Sequence, residues 1–475
     1  MKKTIGILIL IFGLYTIATA QQSFLNKSNS IDSFMSSIYK NGQFSGAVLV
    51  AENGQVIYSK GFGMADRKTN EPFTVSTPCY IGSLSKQFTA MGIMILKERK
   101  KLNYDEPIRK FFPELPICIQ PMTIRMLLHH RSGLAIFDDY PDMNEKDVFN
   151  IILKQEVLHF PAGEKFEYCN AGYTLLGMLI EKISGSNLND FLTKNVFQPV
   201  EMNDTYVNQA VSRNRKRAVG YYLFGDENNY DTFIGGAASV VSTVNDLYKW
   251  DKALYNPKII KKKTLDEAFK VNTTIASDTM YGEKSYGFGW FVCKKKREII
   301  VQHDGGFAGF RSYIERQLAN KNSIIFISNL RHSLIGEIRA GLNNILENKP
   351  YSIPKISYAN WIISQSKKLG MDSAIQVYKK VINSKDSSQY YFDEGEFNSL
   401  GYYLLRKNEI LDAIKFFILN TEQNPTSANV FDSLAEAYMK AVNIELATVN
   451  YKKVLELDTN NKNAEEMIKK IQTKK

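Results

Sequence analysis

Ser83 and Lys86 stand three residues apart in the stretch CYIGSLSKQFTAMGIMIL. The residues after Ser83 are apolar at helical spacing, so Ser83 opens a buried helix and Lys86 lies on its face one turn on. A serine hydroxyl is a weak nucleophile until a neighbouring base takes its proton. A lysine serves as that base when burial and the positive end of a helix lower its pKa. The same helix N-terminus favours a developing alkoxide. Ser-x-x-Lys also occurs at Ser37, Ser352 and Ser364, so spacing alone does not select Ser83.

Further motifs follow in order. Tyr168-Cys169-Asn170 comes after FPAG (160–163) and before AGYTLLGMLIEKISG, which reads as a helix. Tyr-x-Asn recurs at Tyr39, Tyr206 and Tyr358 and is weak alone. His303-Asp304-Gly305-Gly306 ends a strand-like run and contains the only His-x-Gly of the chain.

With LLHHRSGL (127–134), GGAASVVSTVNDLYKW (235–250) and HDGGFAGF (303–310), this series resembles the serine β-lactamase and penicillin-binding-protein superfamily. Within it, region 31–347 looks like the class C β-lactamase-like serine hydrolases. The resemblance implies that Ser83 is the nucleophile of an acyl-enzyme and that Lys86 accepts or relays its proton. It makes Tyr168 the relay to the leaving group and to the deacylating water. Asn170 becomes a polar clamp on Lys86 and the substrate amide. Gly305 would let substrate lie along a strand edge, and the backbone N–H groups of Ser83 and Gly306 would form an oxyanion hole. A tyrosine in this role calls for a nearby cation, and Lys86 is one candidate.

Two residues depart from the pattern. Cys169 replaces a serine inside Tyr-x-Asn, a small change. His303 stands where lactamases carry a lysine. A neutral histidine binds a carboxylate weakly at pH 7. The His-x-Gly version resembles the family's esterases, D-amino-acid-specific peptidases and amidases. The expected activity is therefore an exported serine hydrolase acting on an ester or amide, with a D-amino-acid peptide among the candidate substrates. Peptidoglycan carboxypeptidase, endopeptidase and β-lactamase activities are alternatives, as is a non-catalytic protein working through its C-terminal region.

These residues need a scaffold. SGAVLVAENGQVIYSKGFG is two apolar runs joined by Asn53-Gly54, a hairpin signal. Helical periodicity dominates from about 83 to 200. GFGWFVC, EIIVQH, FRSYIE and SIIFISNL are strand-like, and LIGEIRAGLNNILE closes as a helix. Strands at both ends with helices between predict an α+β fold, one antiparallel sheet flanked by helices with a helical insertion.

After a linker at 348–360, with Pro350 and Pro354, the strands stop. Leu400, Gly401, Ala413 and Phe417 recur 34 residues on as Leu434, Ala435, Ala447 and Tyr451. That period resembles the tetratricopeptide repeat over 361–475. Thr459 replaces the Pro425 that ends the first unit, Ile468 is expected to begin a capping helix, and Ala374 and Tyr378 suggest a degenerate earlier repeat. Two roles stay open for this region, a groove for a protein partner and an accessory pack beside the catalytic domain.

The chain has 475 residues, 44% apolar and 12% aromatic, enough for two or three packed domains and unlike a disordered chain. MKKTIGILILIFGLYTIATAQQ has a basic start, a short apolar core and the small-x-small Ala18-Thr19-Ala20, so residues 1–20 read as a cleaved signal peptide. The mature protein is expected in a periplasm or outside the cell, without a membrane span. Removing Lys2 and Lys3 leaves a net charge of +9 from +11. The basic runs 213–217, 261–263 and 294–297 read as solvated faces or as attraction to an anionic envelope polymer. No aromatics interleave with them, which speaks against nucleic acid. Cys79, Cys118, Cys169 and Cys293 show no paired spacing, and no metal or cofactor is expected. His129-His130 reads as a packing loop, His159 and His332 have no partners at ligand spacing, and Asp138 and Asp139 are candidates for the site mouth.

Overall fold

A computed structural model describes residues 22–473 apart from 138–140, 210–215, 224, 257, 272–273, 279, 296–297 and 332–333. The expected signal peptide, Asp138, Asp139, His332 and parts of the basic runs at 213–217 and 294–297 lie outside the described residues. The chain divides into two compact units between Pro354 and Lys355.

The first unit is built on eight strands: β1 (Gly46–Glu52), β2 (Gln55–Phe62), β3 (Ala276–Asp278), β4 (Gly282–Tyr286), β5 (Phe291–Lys295), β6 (Glu298–Phe307), β7 (Phe310–Gln317) and β8 (Asn322–Ser328). Their order is β2-β1-β8-β7-β6-β5-β4-β3, and every neighbouring pair is antiparallel. Asn53 and Gly54 make the two-residue β1–β2 turn with φ of 52° and 76°. Both residues thus take the left-handed conformation that such a turn needs. The two ends of this unit meet where β1 pairs with β8, from Gly46 opposite Ser328 to Ala51 opposite Ser323.

Both faces of the central strands are covered, which is why they read as continuous apolar runs. Val48, Val50, Ile324 and Phe326 face a layer made by helix α1 (22–40) and helix α6 (Ile335–Leu346). Ala47, Leu49, Ala51, Ile325 and Ile327 face the larger helical layer, which includes α2 (Ser85–Glu98), α3 (Glu145–Leu153), α4 (Asn170–Ser184) and α5 (Val244–Ala253). The α+β architecture with helices between the two sheet-forming ends is present. Ile31, Phe34, Met35 and Ile38 are the buried stripe of α1, so the unit takes in residues from 22 onward.

The second unit is helical: α7 (Tyr358–Leu369), α8 (Met371–Val381), α9 (Glu394–Arg406), α10 (Ile410–Gln423), α11 (Ala428–Lys440), α12 (Ile444–Leu457) and α13 (Lys462–Thr473). Gly401 lies against Phe417, where an added Cβ would stand 2.4 Å from the ring. Ala435, Ala447 and Tyr451 are fully buried in the next pair. Two boundaries differ from expectation. The linker ends before 360, because Ile356–Ser357 pairs with Tyr390–Tyr391 and α7 begins at Tyr358. Ile468 sits inside α13, which begins at Lys462 after an Asn461 side chain that accepts from the Ala464 N–H. Among the described residues no helix is long and apolar enough to cross a membrane.

One ion pair ties the α2-side layer to the sheet. Arg316 of β7 is fully buried, and its Nε donates to Asp251 of α5. Ser323 Oγ donates to the other Asp251 oxygen at 2.6 Å, and Tyr255 lies 4.5 Å beneath the guanidinium. Removing one member of such a pair strands the other charge in the core. Asp251→Ala is expected to lower unfolding stability by about 3–5 kcal/mol in a urea titration of the full chain. A change below about 1 kcal/mol would show the pair to be dispensable.

Candidate active site

Ser83 lies in the single tight turn Gly82–Leu84 that leads into α2, and it is partly exposed, whereas Lys86 is fully buried. The second serine of the motif is consumed in holding that turn. Ser85 Oγ donates to Gly82 O at 2.6 Å and accepts from Val240 N–H at 3.0 Å. Lys86 Nζ lies 3.1 Å from Ser83 Oγ, 2.8 Å from Asn170 Oδ1 and 2.9 Å from Ala237 O. The helical i to i+3 spacing thus delivers the amine to the hydroxyl. Asn170, the first residue of α4, and the Gly235–Ala237 turn supply the other two acceptors. With two N–H groups given to Asn170 and Ala237, a neutral amine has its lone pair left for the Ser83 O–H.

Tyr168 stands on the same side. Lys86 Nζ is 4.7 Å from the centre of its ring. Its hydroxyl is sealed from solvent and forms no hydrogen bond of good geometry. Burial pushes the phenol pKa well above 10, and nearby Ser83 offsets this only in part. The resting group is a neutral phenol that has donor capacity to spare. The expected help from the Lys86 cation is outweighed by burial.

The backbone of the turn is pressed against β6. A Cβ on Gly305 would lie 2.0 Å from Ile81 O and 2.3 Å from Ser312 Oγ. One on Gly82, whose φ is +51°, would lie 2.8 Å from Gly306 N. β5 pairs with β6 only from Glu298 to Gln302, so His303–Phe307 is bonded to β7 alone within the sheet. The open edge of β6 therefore starts at the His-x-Gly motif and runs beside the nucleophile.

His303 is only 2% exposed, and both ring nitrogens are engaged. Nδ1 donates to Asp304 O at 2.6 Å, and Nε2 accepts from the Tyr286 hydroxyl at 3.0 Å, the tautomer that these partners require. Burial lowers its pKa to about 4. The ring is thus neutral, and its centre lies 6.1 Å from that of Tyr168. It supplies no cation for a substrate carboxylate.

Three groups here were given no chemical role by the motifs. The Ala237 acceptor is a backbone carbonyl. Tyr286, at the end of β4, holds His303 with its hydroxyl and accepts from His129 Nδ1 through its carbonyl at 2.8 Å. His130, read as packing, has φ of 54°, and its Nδ1 accepts from the Cys169 N–H at 3.0 Å. Its ring lies 4.2 Å from that of Tyr168, so it fixes the loop that aims the phenol. Cys169 itself is a buried thiol, and none of the four cysteines is in a disulfide.

A β-lactamase family model matches residues 31–343. The chain belongs to the β-lactamase family. Penicillin-binding protein 4* of Bacillus subtilis (strain 168) is 29% identical over 391 residues, 76% of this chain and 83% of that protein. Among solved structures, the octameric penicillin-binding protein homologue from Pyrococcus abyssi superposes with a TM-score of 0.61 at 26% identity, covering 70% of this chain and 80% of that one. A class C β-lactamase shares the fold, with a TM-score of 0.59 at 20% identity, over 69% of this chain and 97% of that one. The family places the chain in the serine β-lactamase and penicillin-binding-protein superfamily, whose common chemistry is an acyl-enzyme on serine.

Gly305→Ala is expected to displace the Ser83 turn, because the new methyl would meet the Ile81 carbonyl, a backbone oxygen that cannot yield. Reaction with a fluorophosphonate should fall at least about 10²-fold while circular dichroism is retained; an unchanged rate would detach the turn from β6. For His303 the sign is fixed by its lowered pKa. The unfolded chain takes up a proton near pH 6.5 that folded His303 refuses until about 4. Its contribution to stability is full above pH 6.5 and is lost as pH falls towards 4. In a ¹H–¹⁵N spectrum optimised for imidazoles, the His303 signals should keep the Nδ1–H neutral pattern at pH 5. A cationic pattern there would contradict the burial.

Proposed function

We propose that this chain is an exported serine hydrolase that cleaves an ester or amide through an acyl-enzyme on Ser83. The reading is carried by the 3.1 Å contact between Ser83 Oγ and a buried lysine amine whose other acceptors are both fixed. Lys86 takes the Ser83 proton as Oγ attacks the substrate carbonyl. The N–H groups of Ser83 and Gly306 hold the oxyanion; losing one such donor costs about 10²–10³ in rate. Tyr168 passes a proton to the leaving group, with Lys86 restoring it, and the acyl group stays on Oγ. In the second half a water attacks the ester, its proton passes to the Tyr168–Lys86 pair, and Oγ regains a proton as the acid leaves. The raised phenol pKa supports this division, since Tyr168 rests protonated and leaves the role of first base to Lys86.

The substrate carbonyl would lie along the open edge of β6 beside Gly305. A neutral His303 with both nitrogens occupied supports an ester, amide or D-amino-acid peptide over a penicillin carboxylate. His303 acts in this reading by holding Tyr286 and the strand end, with no direct grip on an anion. Residues 361–475 are assigned as tetratricopeptide-like repeats, on the 34-residue register and the Gly401–Phe417 contact, with a protein partner as their ligand. Export rests on the composition of residues 1–20.

Intact mass after a fluorophosphonate should show one adduct, located at Ser83 and lost in Ser83→Ala. Ester turnover in that variant should fall by at least about 10⁴. Tyr168→Phe should lower kcat by about 10²–10⁴. Penicillin should leave no long-lived adduct. Full turnover in Ser83→Ala would end the acyl-enzyme reading, and a stable penicillin adduct would move it to a penicillin-binding enzyme.

A further inference from the structure

The 34-residue register of the second unit lays two rows across its helices. Asn398, Asp432 and Glu466 share one position on α9, α11 and α13, and Tyr402, Glu436 and Lys470 share another one turn on. Side-chain bonds join the three helices along these rows. The Tyr402 hydroxyl donates to Glu436 Oε2 at 2.7 Å, from α9 to α11. Asn463 Nδ2 donates to both Asp432 oxygens, at 3.0 and 3.3 Å, from α13 to α11. The rows therefore form one face.

Its centre holds two carboxylates. Asp432 and Glu436 stand at i and i+4 of α11, a like-charge pair that costs stability. Among the described residues neither forms an ion pair. Lys440, one turn beyond Glu436, is spent on Leu405 O at 2.7 Å. Lys470 pairs with Glu466 at 3.8 Å. Burial raises the Asp432 pKa, the Asn463 bond opposes this, and the Glu436 charge adds to it.

Beneath this face lies an unmet polar group. Tyr451 of α12 is fully buried, and its hydroxyl has no hydrogen-bond partner. Burial raises its pKa, and Asp432, Glu436 and Tyr402 raise it further, so the hydroxyl end lies among them. Packing does not require that hydroxyl. The equivalent residue 34 positions earlier is Phe417, which fills the space against Gly401 with a bare ring. Asn398 Oδ1, in the first row, is likewise sealed without a donor. A buried polar group left unmatched is costly, and a bound donor removes the cost. The face thus offers two carboxylates, a phenol oxygen and an amide oxygen beside the Tyr402 ring. A guanidinium has five N–H donors in one plane and no acceptor, and it stacks on aromatic rings.

We propose that this face of the repeats docks a polypeptide segment that places an arginine side chain between Asp432 and Glu436. This rests on the reading of residues 361–475 as repeats with a protein partner, and it states the chemistry of that partner. Charge complementarity selects the occupant. The chain as a whole carries +11, so a basic segment is repelled by most of it and drawn to the one acidic face described here.

Fluorescence anisotropy with the full chain tests this. A rhodamine-labelled peptide of alternating glycine and arginine should bind at least about tenfold more tightly than its citrulline counterpart, the size expected of one charged hydrogen bond. Citrulline keeps the shape of arginine and loses its charge. Raising the salt from about 50 to about 300 mM should weaken the arginine peptide several-fold and leave the citrulline peptide unchanged. In the double variant Asp432→Asn, Glu436→Gln, with its helicity retained by circular dichroism, the preference should fall to within about twofold of unity. Equal affinity of the two peptides for the wild type, or a preference that survives in the folded variant, would overturn the arginine site. Tighter binding of a glycine–glutamate peptide would overturn it too, while keeping a peptide groove. No binding of any of the three would overturn the partner reading as well.

Discussion

A lysine amine buried beside a serine has to be given its other acceptors by the protein, and the rest of this structure follows from that requirement. Lys86 finds one acceptor in a side chain at the start of α4 and one in a backbone carbonyl of the Gly235–Ala237 turn. Neither is close to it in sequence. Helix α4 must therefore dock on α2, and the turn must pack between them. Thr89 Oγ1 donating to Gly236 O at 2.8 Å and Thr174 Oγ1 donating to Ile234 O at 2.9 Å pin that turn from both helices. The helical insertion is thus a device for bringing two oxygens to one nitrogen.

The sheet answers a second requirement, a straight strand edge beside the nucleophile. β5 stops pairing at Gln302, and the glycines that follow remove side chains from the side where the Ser83 turn lies. The rings of Tyr168, Tyr286, His130 and Phe291 pack against one another near this edge. His303 belongs to that packing. Its neutrality is a result of burial and of two internal hydrogen bonds, and this separates the site from one that would recognise an anion through the same strand position.

What the sequence disclosed tracks how local the physics is. Ser83 and Lys86 were legible because one helical turn relates them. The Asn53-Gly54 turn and the strand runs of the second half were legible because period and turn chemistry are local too. Asn170 was reachable only through the order of motifs, since its bond to Lys86 spans 84 residues. Ala237 was not reachable, because a carbonyl acceptor leaves no mark on residue type. Tyr286 and His130 act through packing and register, which a single chain does not display. Helix α1 was missed for a different reason. Its apolar residues Ile31, Phe34, Met35 and Ile38 are diluted by serines and asparagines that face away from the sheet.

The pairing of β1 with β8 has a consequence for how the chain is made. The first strand is synthesised some 270 residues before its partner, since Ala51 is opposite Ser323 and Gly46 opposite Ser328. Until then the β1–β2 hairpin has a bare edge where β8 will pair. Loop closure over such a distance is slow, and exposed strand edges of this kind associate with one another. A nascent or translocating chain of this sequence would carry that hairpin as its aggregation-prone element. Its maturation rate would be set by the arrival of β8, well after the catalytic turn and its helix have been synthesised.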